Sequence, residues 1–283
     1  MKPGIYPNLT FDEYRGIDAW NYSALKYALV SPAHARYAKG RETQRTPAQR
    51  FGQLVHEALL DPAAFTASAV IGGPINAKTG KPFGRDTQAW AAYEAERPGK
   101  VIIDPEEHQA IERIRRAVMA CDDARVLLEA AGPVELTIVW TDPETSVLCK
   151  GRIDKLAEFG QDRVIADPKT CQAADERSFV RDIVKWKYHV QDALYIRGVE
   201  ALMGKRPSFR FIAVEVEEPT GVQVHELTDE SIQVADAQIS VALHRIRACE
   251  QEGQWPSYPP GVKRIALPAW AVDGWLDAIE DDQ

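Results

Sequence analysis

The chain has 283 residues, 45% of them apolar and 27% charged, with a formal net charge of −8. That composition fits a globular chain with a core of its own, excludes fibres and long Gly/Ser linkers, and weighs against a general polyanion binder. No apolar stretch reaches the roughly 18 residues of a membrane span. Met1-Lys2-Pro3-Gly4 has no signal-peptide character, so a cytoplasmic chain without a membrane partner is expected. Cys121, Cys149, Cys171 and Cys249 form no CxxC pair, which predicts buried free thiols and neither a zinc ribbon nor a disulfide framework.

Thr10 with Glu13 predicts a capping box and a short helix from Phe11. Tyr22 to Leu29 reads as a helix, and Ser31-Pro32 starts another. Between Arg36 and Arg50 the chain is locally basic, with Arg36, Lys39, Arg41, Arg45 and Arg50 against Glu42. Glu280-Asp281-Asp282 makes an acidic end. Ala48 to Leu60 is helical, with Phe51, Val55, Ala58 and Leu59 on one face. Gly72 to Gly84 is a loop. Asp104-Pro105, with Glu107, opens a helix to Ala120, and a second follows from Asp123 to Ala130.

The hydrophobic period then changes from helix to strand. Val134, Leu136, Ile138 and Trp140 alternate with Glu135, Thr137 and Val139. A turn at Asp142-Pro143-Glu144 leads to strands at Ser146–Leu156 and Arg163–Lys169. Helices follow at Asp175–Val184 and Tyr188–Met203, strands at Ser208–Val216 and Gly221–Glu226, and a long helix at Asp229–Gln251. A Trp/Pro segment and a short helix near Trp270–Ile279 close the chain. Helices, a β-meander, helices and a hairpin together predict one α/β domain, residues 1–283, with a mixed central sheet flanked by helices. Within it, 1–130 is a helical part carrying His56, 131–226 the sheet and its helices, and 227–283 the C-terminal helices.

Carboxylates and a lysine gather around the meander. Glu135 lies on its first strand and Asp154 near the end of its second. Asp167 and Lys169 lie on the third, two apart and so on one face. Antiparallel neighbours bring Asp154 close to Asp167. Carboxylates this close repel one another and take up protons unless a hard cation such as Mg²⁺, which prefers oxygen ligands, relieves them. A solvated charged hairpin would show the same bare pattern. His56 sits on its helix with Gly52 one turn earlier, which predicts space beside the imidazole. Pro168 cannot donate to a sheet ladder, so a bulge or weakened pairing is expected there.

Several motifs in order give these residues more meaning than their spacing alone. They are Asn21-Tyr22-Ser23-Ala24-Leu25-Lys26, Ser31-Pro32-Ala33-His34, Gly52-Gln53-Leu54-Val55-His56, Lys150-Gly151-Arg152-Ile153-Asp154, Asp167-Pro168-Lys169-Thr170, Tyr188 to Tyr195, Trp255-Pro256-Ser257-Tyr258 and Leu267-Pro268-Ala269-Trp270. Taken together the chain resembles the PD-(D/E)xK nuclease superfamily, and within it the exonuclease VIII (RecE-type) nuclease domain. The resemblance implies a restriction-endonuclease-like, lambda-exonuclease-like core. It further implies Asp154 and Asp167 as Mg²⁺ ligands, with Mn²⁺ able to substitute, and His56 and the Pro168 carbonyl completing the shell. Lys169 would activate water, Glu135 would be an accessory acid, and Gln191 and Tyr195 would support the lysine or touch the DNA backbone.

The implied activity is hydrolysis of linear double-stranded DNA from its ends, 5′ to 3′. A ring-shaped homo-oligomer, a trimer or tetramer, would pass the 3′ strand to a single-strand-annealing recombinase. Arg36, Lys39, Arg41, Arg45, Arg50, Lys78, Lys81 and Arg85 are the candidate phosphate contacts, with ordinary surface charge as the competing reading. Gly73 to Lys81 is not a Walker A loop, so no ATP is expected. Only Cys249 lies late in the chain, which disfavours the iron–sulfur cluster of a Cas4-like nuclease. The competing class is a catalytically silent DNA-end-binding protein on the same fold.

Overall fold

The computed structural model describes residues 1–41 and 46–268. In chain order it contains β1 (Gly4–Tyr6), α1 (Phe11–Gly16), α2 (Tyr22–Leu25), a 3-10 turn (Lys26–Leu29), α3 (Pro32–Ala38), α4 (Pro47–Leu60), α5 (Pro62–Ser68), β2 (Ala69–Ile71), α6 (Gln88–Ala95) and β3 (Val101–Ile103). It continues with α7 (Pro105–Ala120), α8 (Asp122–Glu129), β4 (Val134–Thr141), β5 (Leu148–Phe159), β6 (Asp162–Cys171), α9 (Glu176–Trp186), α10 (Tyr188–Met203), β7 (Ser208–Glu215), β8 (Val222–His225) and α11 (Asp229–Glu252). The expected helix at Trp270–Ile279 lies outside the described residues.

Local chemistry sets most boundaries. Thr10 accepts from Glu13 N while Glu13 returns to Thr10 N, and Thr46 with Gln49 and Asp104 with Glu107 repeat this reciprocal box. The helix expected over Tyr22–Leu29 is instead one α-turn running into a tighter 3-10 turn. The short strands β1, β2 and β3, three residues each, carry too little alternation to be read from sequence.

Six strands form the main sheet in the order β1-β4-β5-β6-β7-β8. β6 and β7 are parallel and the other pairs antiparallel, a mixed sheet as the pattern of elements implies. Alternate residues of β6 and β7 face opposite layers. Ile165, Phe209, Phe211 and Ala213 pack with α9, α10 and α11. Val164, Ala166, Ile212 and Val214 pack with α4, α7 and α8. β4 departs from the half-exposed strand that its sequence suggests. Thr137 and Val139 are buried as well, because the segment around Tyr14, Ile17 and Ala19 covers its second face. That segment is anchored by Lys150, whose ammonium donates to the carbonyls of Tyr14 (2.8 Å), Arg15 (3.2 Å) and Ile17 (2.7 Å) at the end of α1. Burial pulls the Lys150 pKa down to about 8.

α10 crosses close over β4 at Gly198. A methyl group there would lie 2.7 Å from Ile138 Cδ1 and 2.8 Å from Trp140 Cζ3. Gly→Ala inside a helix ordinarily gains roughly 1 kcal/mol. Gly198→Ala should instead destabilise the fold by about 1–3 kcal/mol, because the buried Trp140 ring has nowhere to go. The check is a lower urea midpoint with an unchanged m value.

Candidate active site

The site begins where two strands part. The β5–β6 ladder runs from Phe159↔Asp162 to Lys155↔Ala166 and stops. Asp154 and Asp167 occupy the next opposed positions. Across β5, the β4 ladder passes from Val134↔Lys155 to Leu136↔Ile153 and omits Glu135 and Asp154. Glu135 has φ +49°, a left-handed backbone that costs a non-glycine residue of order 1–3 kcal/mol. The facing of β5 slips at the same place, for Ile153 and Leu156, three apart, both enter the α10-side core. This break frees Asp154 from strict alternation. Its carboxyl hydrogen-bonds Asp167 on one side and reaches α4 on the other.

α4 runs against β6. A helical turn rises about 6 Å over four residues and a strand about 6.6 Å over two. Gly52 and His56 therefore match Thr170 and Pro168. A methyl at Gly52 would meet Thr170 Oγ1 at 3.2 Å, so this glycine makes room for Thr170, not for the imidazole as the spacing suggests. His56 Nε2 lies 2.5 Å from the Pro168 carbonyl and Nδ1 3.3 Å from Asp154 Oδ2. A carbonyl only accepts, so Nε2 carries the proton and Nδ1 faces the acid. The expected bulge at Pro168 is absent from the β6–β7 pairing, which continues one residue against one through Pro168↔Ile212. The β5 ladder has already ended at Ala166, so the missing N–H leaves no gap in it.

One lysine serves both acids. Lys169 Nζ is 2.5 Å from Asp167 Oδ2, with side chains 14% and 3% exposed. Burial and the Asp167 charge drive Asp154 well above the ordinary carboxylate range. Burial also opposes the Asp167 charge, but Lys169 and the Asp154 hydrogen bond together hold Asp167 below it. Burial works against the Lys169 ammonium, and the two acids overcome it and raise its pKa. Burial, then Lys169, keeps His56 low and neutral. Of the two acids, Asp154 is pushed toward its protonated form, while the Lys169 ammonium beside it favours the ionised form of Asp167.

α10 closes the site. Tyr195, 7% exposed, sits against the Arg152 backbone, and Gly151 gives it space. A methyl there would lie 3.0 Å from the Tyr195 ring. Gln191 is equally buried, yet the ring under Lys169 is that of Tyr188, 5.0 Å from Nζ. Asp192 beside it is 1% exposed, has neither carboxylate oxygen hydrogen-bonded, and burial pushes its pKa up to about 8. Glu135, half exposed, is drawn to the rim by Arg152 Nη2 at 2.7 Å.

The basic residues expected to meet phosphate separate into two groups. Arg50 and Arg85 are tied to Glu107 and to the Ile102 carbonyl, and Arg85 to Asp104 as well. Lys39 pairs with Asp18 at 2.7 Å. In this structure these three are therefore paired with acids of the fold. Arg36 lies over Trp255 and Arg41 over Tyr37, both exposed, and Lys78 and Lys81 are exposed in the loop before α6. Arg45 lies outside the described residues.

The donors suit a hard divalent cation: two carboxylates, a backbone carbonyl and an imidazole. Asp167 Oδ2 is buried and has no aligned hydrogen bond despite the nearby ammonium, which leaves it as a ligand atom. Among the described residues no three His, Cys, Asp or Glu side chains stand as a ready cage. The donors hold one another instead, and a cation would have to displace the Asp154 proton.

A carboxyl whose folded pKa is raised costs stability as pH climbs past its unfolded value of about 4. Asp154→Asn removes that cost. With chelator present, the variant should melt about 2–4 °C above wild type at pH 8 and with little difference at pH 4. Equal melting at pH 8 would show that Asp154 is not the protonated acid.

A family model described as a PDDEXK-like domain of unknown function (DUF3799) matches residues 21–264. No curated protein matches the sequence. Twelve solved chains do match. One is the crystal structure of a "Putative exonuclease" from Eubacterium rectale, 14% identical with a TM-score of 0.57, covering 94% of this chain and 99% of that one. At that identity the likeness is one of fold. The matched span contains α4, the β5–β6 fork and α10, and the chain belongs to the PDDEXK-like domain family.

Proposed function

We propose that the chain is a divalent-metal-dependent exodeoxyribonuclease acting on the ends of linear double-stranded DNA. The observation that carries the reading is the fork of β5 and β6. It sets Asp154 against Asp167 with Lys169 two residues on, and with His56 and the Pro168 carbonyl alongside. Asp154, Asp167, the Pro168 carbonyl and His56 would hold Mg²⁺ or Mn²⁺, which when bound supplies an acidified water and charge stabilisation at phosphate. Lys169 would aim that water or take its proton. The two acids raise its pKa against burial, so a cation that took up their charge would leave burial, joined by the cation's own charge, to lower the proton affinity of Lys169. Tyr188 supports the lysine from below and Tyr195 backs the Arg152–Asp154 strand. Direction 5′ to 3′, a homo-oligomeric ring and delivery of the 3′ strand to a single-strand-annealing recombinase complete the reading.

The test uses linear duplex labelled at the 5′ or 3′ end, with Mg²⁺ or with EDTA. Wild type should release the 5′ label first and only with metal. Lys169→Ala should lower kcat by about 10²- to 10⁴-fold, and Asp154→Ala and Asp167→Ala should abolish cleavage. Early loss of the 3′ label would reverse the direction. End binding without cleavage by wild type would establish the silent end-binding protein instead.

Activity should also climb from neutral pH toward about 8–9, since the Asp154 proton must leave before a cation can bind. An optimum below pH 6 contradicts the mechanism.

A further inference from the structure

A second lysine stands near the site without a counter-ion among the described residues. Lys26, at the start of the 3-10 turn, holds its ammonium 4.9 Å over the Tyr22 ring and 5.7 Å over the Tyr27 ring. The Tyr22 hydroxyl donates to the Trp186 carbonyl, which joins this turn to the last residue of α9. One residue past the αL Lys187, Tyr188 lies under Lys169. A continuous wall therefore runs from Lys169 through Tyr188 and Tyr22 to Lys26. Burial and then the Lys169 charge act on the Lys26 ammonium, and among the described residues no carboxylate offsets them. A half-buried cation repelled by its neighbour is a natural seat for an anion.

The flanks of this seat carry exposed rings. Tyr27 is 42% and Trp186 45% exposed. Lys185 lies 4.7 Å over the Trp186 ring, and Arg177 and Arg181 are exposed on the same helix. Cations beside open aromatic faces are the means by which proteins hold unpaired nucleic acid, with phosphates on the charges and bases on the rings. A duplex hides its base faces and offers nothing to these rings.

We propose that Lys26, Tyr27 and Trp186 form a single-strand DNA seat leading to Asp154 and Asp167, so that the strand to be cut arrives already unpaired. This rests on the nuclease reading above and adds the form of DNA that the site accepts. Lys26 is a positioning residue that takes a backbone phosphate next to the scissile one, and the two rings stack the neighbouring bases.

The test is fluorescence anisotropy of a labelled single-stranded oligothymidine in EDTA across a salt series, with Mg²⁺ cleavage by wild type run in parallel. Trp186→Ala and Tyr27→Ala should each weaken binding by about 5- to 100-fold. Lys26→Gln should flatten the log–log salt slope by about 0.7, and Lys26→Arg should restore it. The thermal midpoint of each variant separates these losses from unfolding. Wild-type affinity and slope in all variants, or no single-strand binding by wild type, overturns the seat. Cleavage by wild type in that case leaves the nuclease reading standing. Binding losses as expected, without any Mg²⁺-dependent cleavage, keep the seat and overturn the nuclease reading.

Discussion

Two carboxylates share one lysine inside the sheet, and the rest of the site answers to that imbalance. Asp154 and Asp167 meet where the β5–β6 ladder ends, and Lys169 can neutralise one of them. The other keeps its proton or finds a cation. Every neighbour narrows these choices. The Pro168 carbonyl sets the His56 tautomer, and His56 then presents an unprotonated nitrogen to Asp154. Arg152 withdraws Glu135 to the rim, so a third negative charge stays outside the pair.

The three-layer packing makes this arrangement rigid. α4 approaches β6 closely because Gly52 yields to Thr170, and that approach carries His56 to the Pro168 carbonyl. α10 approaches from the opposite face because Gly151 yields to Tyr195 and Gly198 to Ile138 and Trp140. Lys150 ties the N-terminal segment to β5 four residues before Asp154. The strain at Glu135, a left-handed non-glycine residue opposite Asp154, is maintained by this surrounding packing.

Much of the fold was legible because it is encoded locally. β4, α10, β7 and α11 follow from strand or helix period, and the capping pairs at Thr10 and Asp104 mark helix starts. β1, β2 and β3 were not legible, since three residues carry no period and each strand exists only through its partner. The site was legible in its carboxylates and Lys169, whose spacing places them on adjoining strands. It was not legible in Tyr188 as the ring beneath Lys169, nor in the Glu135–Arg152 pair, nor in Lys26. These depend on contacts between elements far apart in sequence. The pairing of Arg50 and Arg85 with Glu107 and Asp104 was hidden for the same reason.

The sequence by itself determined the order of the longer elements from α7 to α11, the family and the candidate Asp154, Asp167, Lys169 and His56. Residue type, period and motif order are properties of the chain before it folds. Tertiary structure alone decided which acid is pushed toward its protonated form, which nitrogen of His56 faces it, which cations pair with acids of the fold and which, like Lys26, have no counter-ion among the described residues. Protonation and pairing depend on desolvation and on the nearest charges, and those neighbours are assembled only when α2, α4, α9 and α10 close around the sheet.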